Sequence, residues 1–188
     1  MNMTYNVHRH IVRQKIIEAA ARIVYTYTAH WKIANRLQSR YEEFKIAQIA
    51  LTASASCGFL TALIKGSSCV TEIGGMLGGA CSFLSLCLNL YMLNFDLPNQ
   101  IKQHTEAANE LWEIRECYVA FITDFDMLSD EEVRSRRDDL TKVVAQVNKK
   151  YPGTDRRSYA EARVALKEKE EQTFNKGEAE RLLNLTDD

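Results

Sequence analysis

Six polar side chains at helical spacing are the residues with the clearest capacity for chemistry in this sequence. They are Gln48, Thr52, Ser56, Ser82, Ser85 and Asn89. The first three recur every four residues and the last three are spaced by three and four, so each trio lies on one face of a helix. Such hydroxyl and amide groups can line a water path or hydrogen-bond to a neighbouring helix. The spacing leaves both interpretations open.

Residues for catalysis or metal binding are not arranged in a recognisable pattern. The sequence contains no P-loop, GxGxxG, GxSxG or HExxH motif. His8 and His10 alternate instead of sharing a helix face, and Cys117 has no base nearby in the sequence. The five cysteines lack zinc-type pairing, which favours a reducing compartment. We therefore predict a protein that is not an enzyme and that uses no cofactor or metal.

Two uncharged runs contain the six polar residues and are long enough to span a membrane. They cover residues 46–64 and 73–95. As helices they would extend roughly 28 and 34 Å, against a hydrocarbon core of about 30 Å. We predict two transmembrane helices, with a buried hairpin in a soluble bundle as the alternative. The short loop 65–72 requires the helices to be antiparallel.

The distribution of charge predicts the orientation. Arg36, Arg40 and Lys45 precede the first run and Lys102 follows the second, whereas the loop offers only Lys65. The positive-inside rule then places both termini in the cytoplasm. Across the whole chain 24 Lys and Arg balance 25 Asp and Glu. This near-neutral balance argues against sequence-specific nucleic-acid binding.

Small residues within the runs predict close helix packing. They are Ala50, Ser54, Gly58, Ala62, Gly74, Gly75, Gly78 and Gly79. Because apolar burial cannot drive association in lipid, small residues that let backbones approach are typical of helix contacts there. We expect these stripes to pack within the hairpin or between copies of the chain.

The remaining segments predict cytoplasmic helices. Residues 1–45 form an amphipathic helix, and 96–128 form a return helix whose start at Asp96 and Pro98 is a candidate hinge, since proline disfavours helix just before it. In the C-terminal region 129–188, the capping-box pattern SDEE begins one helix and Tyr151-Pro152-Gly153 ends it. A second helix restarts at Thr154-Asp155 and continues to near Lys176, with Lys167–Glu171 on its solvated face. A short helical turn over 178–185 follows.

This all-α layout resembles the SLATT family of two-transmembrane effector domains from bacterial conflict and anti-phage systems. The segment NKKYPGTDRRSYAEARVAL, residues 148–166, is similar to the tail of a subgroup found beside reverse transcriptases, with Pro152, Tyr159 and Ala162 as the matching positions. The resemblance covers nearly the full chain. It implies a multi-pass protein of the bacterial inner membrane.

The resemblance also implies a function. An effector of this kind would form homo-oligomers and would open a pore or disrupt the bilayer during abortive infection. A partner protein, such as a nucleotidyltransferase or reverse transcriptase, or a nucleotide signal would activate it. A membrane-anchored scaffold that recruits a partner protein without conducting ions is the alternative from another class.

Overall fold

The computed structural model describes residues 2–63, 68–176 and 178–182. Every regular element in these ranges is helical, which confirms the predicted all-α fold. The elements in chain order are α1 (Asn2–Leu63), α2 (Ser68–Phe95), α3 (Leu97–Thr123), a 3₁₀ helix (Phe125–Met127), α4 (Asp130–Lys150), α5 (Arg156–Lys167) and α6 (Glu178–Leu182).

The first helix, α1, continues from the amphipathic segment into the first uncharged run without a break. It is 62 residues long, and it contains one glycine, Gly58, and no proline, so few helix breakers interrupt it. Of the predicted loop 65–72, residues 65–67 lie outside the described residues, and Ser68 already begins α2. The boundaries of the membrane segments therefore remain predictions.

The chain divides into two compact units. One comprises Ile33–His104, and the other comprises the described parts of residues 1–32 and 105–188. The second unit, which we call the helical base, buries one apolar cluster between α1, α3 and α4. Its buried members are Ile16, Ile23, Tyr27, Ala108, Leu111, Ile114, Tyr118, Phe121, Phe125, Val133 and Val147.

Capping fixes the start of α4, as the sequence predicts. The Ser129 hydroxyl accepts a hydrogen bond from the Glu132 amide at 3.3 Å, and the Ser129 amide donates to Glu132 Oε2 at 2.8 Å. This reciprocal pair confirms the capping box. Arg9 of α1 also reaches this turn and bonds to Asp130 Oδ1 at 2.6 Å and to the Leu128 carbonyl at 2.6 Å. The turn is thus fixed from both sides.

The end of α4 is fastened to α3. Lys150 and Tyr151 both donate hydrogen bonds to Glu110 Oε1, the phenol at 2.6 Å. These two donors hold the pKa of Glu110 below its ordinary value. The predicted stop at Tyr151-Pro152-Gly153 is confirmed, and Asp155 caps α5 by accepting from the Ser158 amide.

One helix prediction is wrong. The restarted helix, α5, ends at Lys167 instead of near Lys176, so residues 168–171 form a turn and not a solvated helix face. Glu170 has a φ of 51° and Gln172 a φ of 70°, which helix geometry does not allow. The turn brings Gln172 to the Tyr27 phenol and Glu171 to Lys32 Nζ at 2.9 Å. These contacts with α1 replace further helix.

Candidate functional site in the helical hairpin

The hairpin of α1 and α2 packs along an antiparallel seam. Phe44 contacts Tyr91 with ring centroids 5.3 Å apart, Gln48 contacts Ser85, and Gly58 lies against Gly78. Buried and half-buried residues recur by threes and fours at positions 44, 48, 51, 55 and 58 of α1 and 74, 78, 81, 85, 88 and 92 of α2. This is the periodicity of a coiled-coil seam, and here it runs through both uncharged runs.

Glycines bring the two backbones together near the end of α1 and the start of α2. A Cβ atom added at Gly58 would lie 2.6 Å from the Gly78 Cα and 2.7 Å from the Gly74 carbonyl oxygen. One added at Gly74 would meet Thr61 Oγ1 at 2.0 Å. By contrast, one added at Gly75 or Gly79 would meet nothing within 4 Å. The first three glycines therefore permit the contact between α1 and α2, and the last two face open space.

The other small residues of the first run are not in the seam. Ala50 and Ser54 are exposed, and the Ala62 side chain lies outside the described part of the structure. Ala55, which the spacing did not single out, is buried beside Gly58 instead. A three-four repeat, instead of a strict four-residue repeat, would have selected it.

The six polar residues divide into a seam pair and an exposed set. Gln48 Nε2 donates to Ser85 Oγ at 2.7 Å inside the seam. The Gln48 amide oxygen is buried and lacks a hydrogen-bond partner among the described residues. Gln48 and Ser85 thus link the two helices.

The remaining four polar residues lie on one side of the hairpin. Thr52, Ser56, Ser82 and Asn89 each directly follow a seam position, as do Gly75 and Gly79. Successive residues advance by about 100° around a helix, so in an antiparallel pair these positions fall on the same side of both helices. We call the side formed by Thr52, Ser56, Gly75, Gly79, Ser82 and Asn89 the polar flank. All six residues are exposed except Ser82, which is half-buried.

Hydrogen bonding within the polar flank is uneven. Thr52 donates to the Gln48 carbonyl at 2.8 Å, Ser56 to the Thr52 carbonyl at 2.9 Å and Ser82 to the Gly78 carbonyl at 2.9 Å. These three hydroxyls are satisfied by their own helices. The Asn89 amide makes no hydrogen bond with any described residue and is exposed. It is the polar group on this flank that still needs a partner.

Aromatic side chains cluster at the end of the hairpin opposite the loop between α1 and α2. Tyr91 contacts Phe44 and also Phe95, whose ring centroid is 4.3 Å away, and Lys45 Nζ lies 4.6 Å from the Tyr41 ring centroid. Aromatic residues and lysines commonly anchor helices at a membrane interface. The spacing of the polar and small residues does not point to this cluster, although the aromatic residues at the ends of both runs were a usable signal.

The candidate hinge coincides with a break between helices. Asp96 lies between α2 and α3 with a φ of 40°, a region that aspartate tolerates better than most residues. Pro98 is the second residue of α3, where its missing amide proton breaks no helical hydrogen bond. The break therefore falls between α2 and α3 without disrupting either helix. Its role as a moving hinge remains a prediction.

The stretch Thr71–Thr123, which comprises most of α2 and all of α3, holds a segment long and apolar enough to cross a membrane, and it is the one such stretch in the described part of the chain. Only 6% of that segment is buried within the protein, whereas the core helix of a soluble protein is mostly buried. The described part of α1 does not meet the same criteria, so the second span remains a prediction. No group of three or more metal-ligating side chains occurs among the described residues.

Comparison with known families gives one match. The model of the SMODS and SLOG-associating 2TM effector domain family 4 matches residues 12–178, which is most of the chain and includes both uncharged runs. The comparisons with curated proteins and with solved structures found no match. The family description gives two transmembrane helices and an effector role associated with SMODS and SLOG proteins.

Proposed function

Because the chain belongs to this SLATT family of two-transmembrane effector domains, we propose that it is a defence effector whose hairpins assemble and open a water path through the inner membrane. The unpartnered amide of Asn89 on the polar flank carries the proposal. An amide facing lipid without a hydrogen bond is unfavourable by several kcal/mol. A second copy of the hairpin or a column of water would satisfy it.

The polar flank supports assembly in a second way. Gly75 and Gly79 face open space on the flank that also carries Ser82 and Asn89, so a helix of another copy can approach closely at the glycines. Two helices cannot enclose a lumen, but several copies can when each contributes its polar flank. In this arrangement Thr52, Ser56, Ser82 and Asn89 face the lumen, while Gln48 and Ser85 hold each hairpin together.

The proposed topology places α1 and α2 across the bilayer with both termini in the cytoplasm. The aromatic cluster around Phe44 and Tyr91 would then mark the cytoplasmic interface. Activation would come from a signal-generating partner such as a nucleotidyltransferase or reverse transcriptase, consistent with the association named in the family description. A signal that favours the open arrangement would act by shifting the population of the two states.

Replacing Asn89 by leucine tests the proposal. We expect Asn89→Leu to abolish membrane depolarisation in bacteria that express the active chain, because the amide no longer supports water in the lumen. Asn94→Leu is the matched control, since Asn94 is also exposed on α2 but does not belong to the polar flank. Voltage-sensitive dye fluorescence and potassium efflux measure the result. Equal loss in both variants, or unchanged depolarisation in Asn89→Leu, would contradict the assignment.

A non-conducting scaffold is the second candidate, and one observation favours it. Three of the four hydroxyl and amide groups on the polar flank are already satisfied by their own helix backbones, and Gln48 bonds to Ser85 within the hairpin. A chain that stays in the membrane during activation without any potassium efflux would support this candidate. Recruitment of the partner protein by the chain would then be the function to measure.

A further inference from the structure

A cleft in the helical base contains hydrogen-bonding groups that the hairpin does not use. It encloses about 290 Å³ between α1, α3 and α4 and is lined by Arg22, Thr26, Tyr118, Thr141 and Asn148 together with aliphatic side chains. A second cavity of about 240 Å³, below the end of α4, shares Thr26 and Asn148 with it. The first cavity alone is near the lower limit of ordinary ligand pockets, about 300 Å³.

Tyr118 is the first reason to regard this cleft as a binding site. The side chain is only 3% exposed and belongs to the apolar cluster of the helical base. Its hydroxyl makes no hydrogen bond with any described residue, yet it is not among the buried atoms that lack a partner. The oxygen is therefore open to the cleft that Tyr118 lines. Because the hydroxyl has no partner on the described residues, it is available to a ligand.

Arg22 supplies an available positive charge beside this phenol. Burial raises the pKa of Tyr118, and the charge of Arg22 acts in the opposite direction, as expected for neighbouring groups. The guanidinium makes no hydrogen bond or ion pair with any described residue, although its charge helps to lower the pKa of Glu18, one turn earlier in α1. The Asn148 amide is likewise without a hydrogen-bond partner there. The cleft thus contains three hydrogen-bond donor groups, those of Arg22, Tyr118 and Asn148, that make no hydrogen bond with a described residue.

Two acceptors complete the lining. Thr26 donates its hydroxyl proton to the Arg22 carbonyl at 2.8 Å, and Thr141 donates to the Arg137 carbonyl at 2.8 Å. Both threonine oxygens therefore retain lone pairs that can accept hydrogen bonds from a ligand. Apolar side chains such as Ile23 and Leu111 also line the cleft, so it can accept a ligand with one anionic group and a larger uncharged part.

The other arginine cluster of the helical base does not offer the same capacity. Arg9 bonds to Asp130 and to two carbonyls, Arg134 Nε donates to the Asp130 carbonyl at 3.1 Å, and Arg137 pairs with Asp138 at 2.8 Å. Its guanidinium groups have partners within the protein. Arg13 Nε is buried without a hydrogen-bond partner among the described residues, but Arg13 does not line the cleft, so Arg22 is the arginine that this cleft offers to an anion.

We propose that the cleft lined by Arg22 and Tyr118 binds a small phosphorylated molecule of about nucleotide size. A phosphate group has three acceptor oxygens, which match a guanidinium, a phenol and an amide that approach from different helices. A carboxylate has two oxygens, and a bidentate arginine occupies both. This site lies outside the hairpin, and its existence does not depend on whether the hairpin conducts ions.

Titration of the full chain in detergent with AMP tests the proposal, with isothermal calorimetry as the readout. We expect saturable binding of AMP, competition by inorganic phosphate and much weaker binding of adenosine. Arg22→Gln should weaken AMP binding at least tenfold, about 1.4 kcal/mol, and Tyr118→Phe should weaken it severalfold. Because Arg22 is exposed and makes no hydrogen bond or ion pair with a described residue, its replacement should leave the melting temperature nearly unchanged.

Arg137→Gln is the matched control because it removes the same charge outside the cleft. It should bind AMP like the unmodified chain. Absence of saturable binding for both AMP and phosphate would overturn the proposal, and so would equal weakening in Arg22→Gln and Arg137→Gln. If Arg22→Gln alters the fold, Tyr118→Phe gives the deciding result, since it removes one hydroxyl and keeps the buried ring. No membrane is present in this assay, so its outcome is independent of the depolarisation experiment.

Discussion

The contact between Gly58 and Gly78 yields the sharpest prediction about the hairpin. In Gly58→Ala the new Cβ would lie 2.6 Å from the Gly78 Cα, whereas carbon atoms in contact prefer about 3.5–4.0 Å. The three atoms nearest to it, the Gly78 Cα, the Gly74 carbonyl oxygen and the Gly78 amide nitrogen, belong to the backbone and cannot rotate away. The helices must therefore separate locally by about 1 Å.

The magnitude follows from the contacts that this separation weakens. A gap of about 0.5–1 Å removes a quarter to a half of each van der Waals contact energy, and overpacking in a close-packed interface typically costs about 1–3 kcal/mol. We expect Gly58→Ala to lower the free energy of unfolding by that amount. The hydrogen bond from Gln48 to Ser85 lies further along the same seam and should weaken as well.

Gly79→Ala is the control for this prediction. Its Cβ would meet nothing within 4 Å, and replacing a helical glycine by alanine favours the helix by up to about 1 kcal/mol. Unfolding by denaturant of the chain in mild detergent, followed by circular dichroism, measures both variants. If Gly58→Ala is as stable as Gly79→Ala, the close packing of α1 on α2 is refuted.

Two further predictions concern the helical base. Ser129→Ala should lower the free energy of unfolding by about 1 kcal/mol because it removes the capping box. The control is Ser135→Ala, at an exposed position within α4, which should cause no loss of stability. Equal effects of the two substitutions in denaturant unfolding would contradict the capping argument. The hydrogen bonds from Lys150 and Tyr151 lower the pKa of Glu110 in the folded chain below the ordinary value of 4.5 that it has when unfolded. They therefore stabilise the fold fully at a pH above 4.5, and this stabilisation is lost as the pH falls through the pKa of Glu110 in the folded chain. Melting temperatures between pH 6 and about pH 3 should therefore fall less in Glu110→Gln than in the unmodified chain, and parallel curves would refute this link.

The sequence predicted the helical fold well because its signals are local. The scarcity of glycine and proline indicated long helices, and SDEE and Tyr151-Pro152-Gly153 marked the limits of α4 correctly. These signals act between residues that are a few positions apart in the chain. The family resemblance, which rested on the same layout, is also confirmed.

The candidate site could be predicted only in part. Spacing identified the six polar residues, but it could not separate Gln48 and Ser85, which bond across the seam, from Asn89, which has no partner on its own hairpin. That distinction depends on how far each helix is rotated about its axis. The rotation is set by the backbone contact between Gly58 and Gly78, a contact between residues on different helices.

Composition and periodicity by themselves thus determined that the chain is helical, that it carries two uncharged runs and that specific polar residues interrupt them. The tertiary structure decided which glycines meet, which polar groups remain available and where α5 ends. Local propensity favoured helix beyond Lys167, yet Glu171 and Gln172 make contacts with α1 that require a turn. Cleft residues such as Arg22, Tyr118 and Asn148 come from three helices, so only folding brings them together.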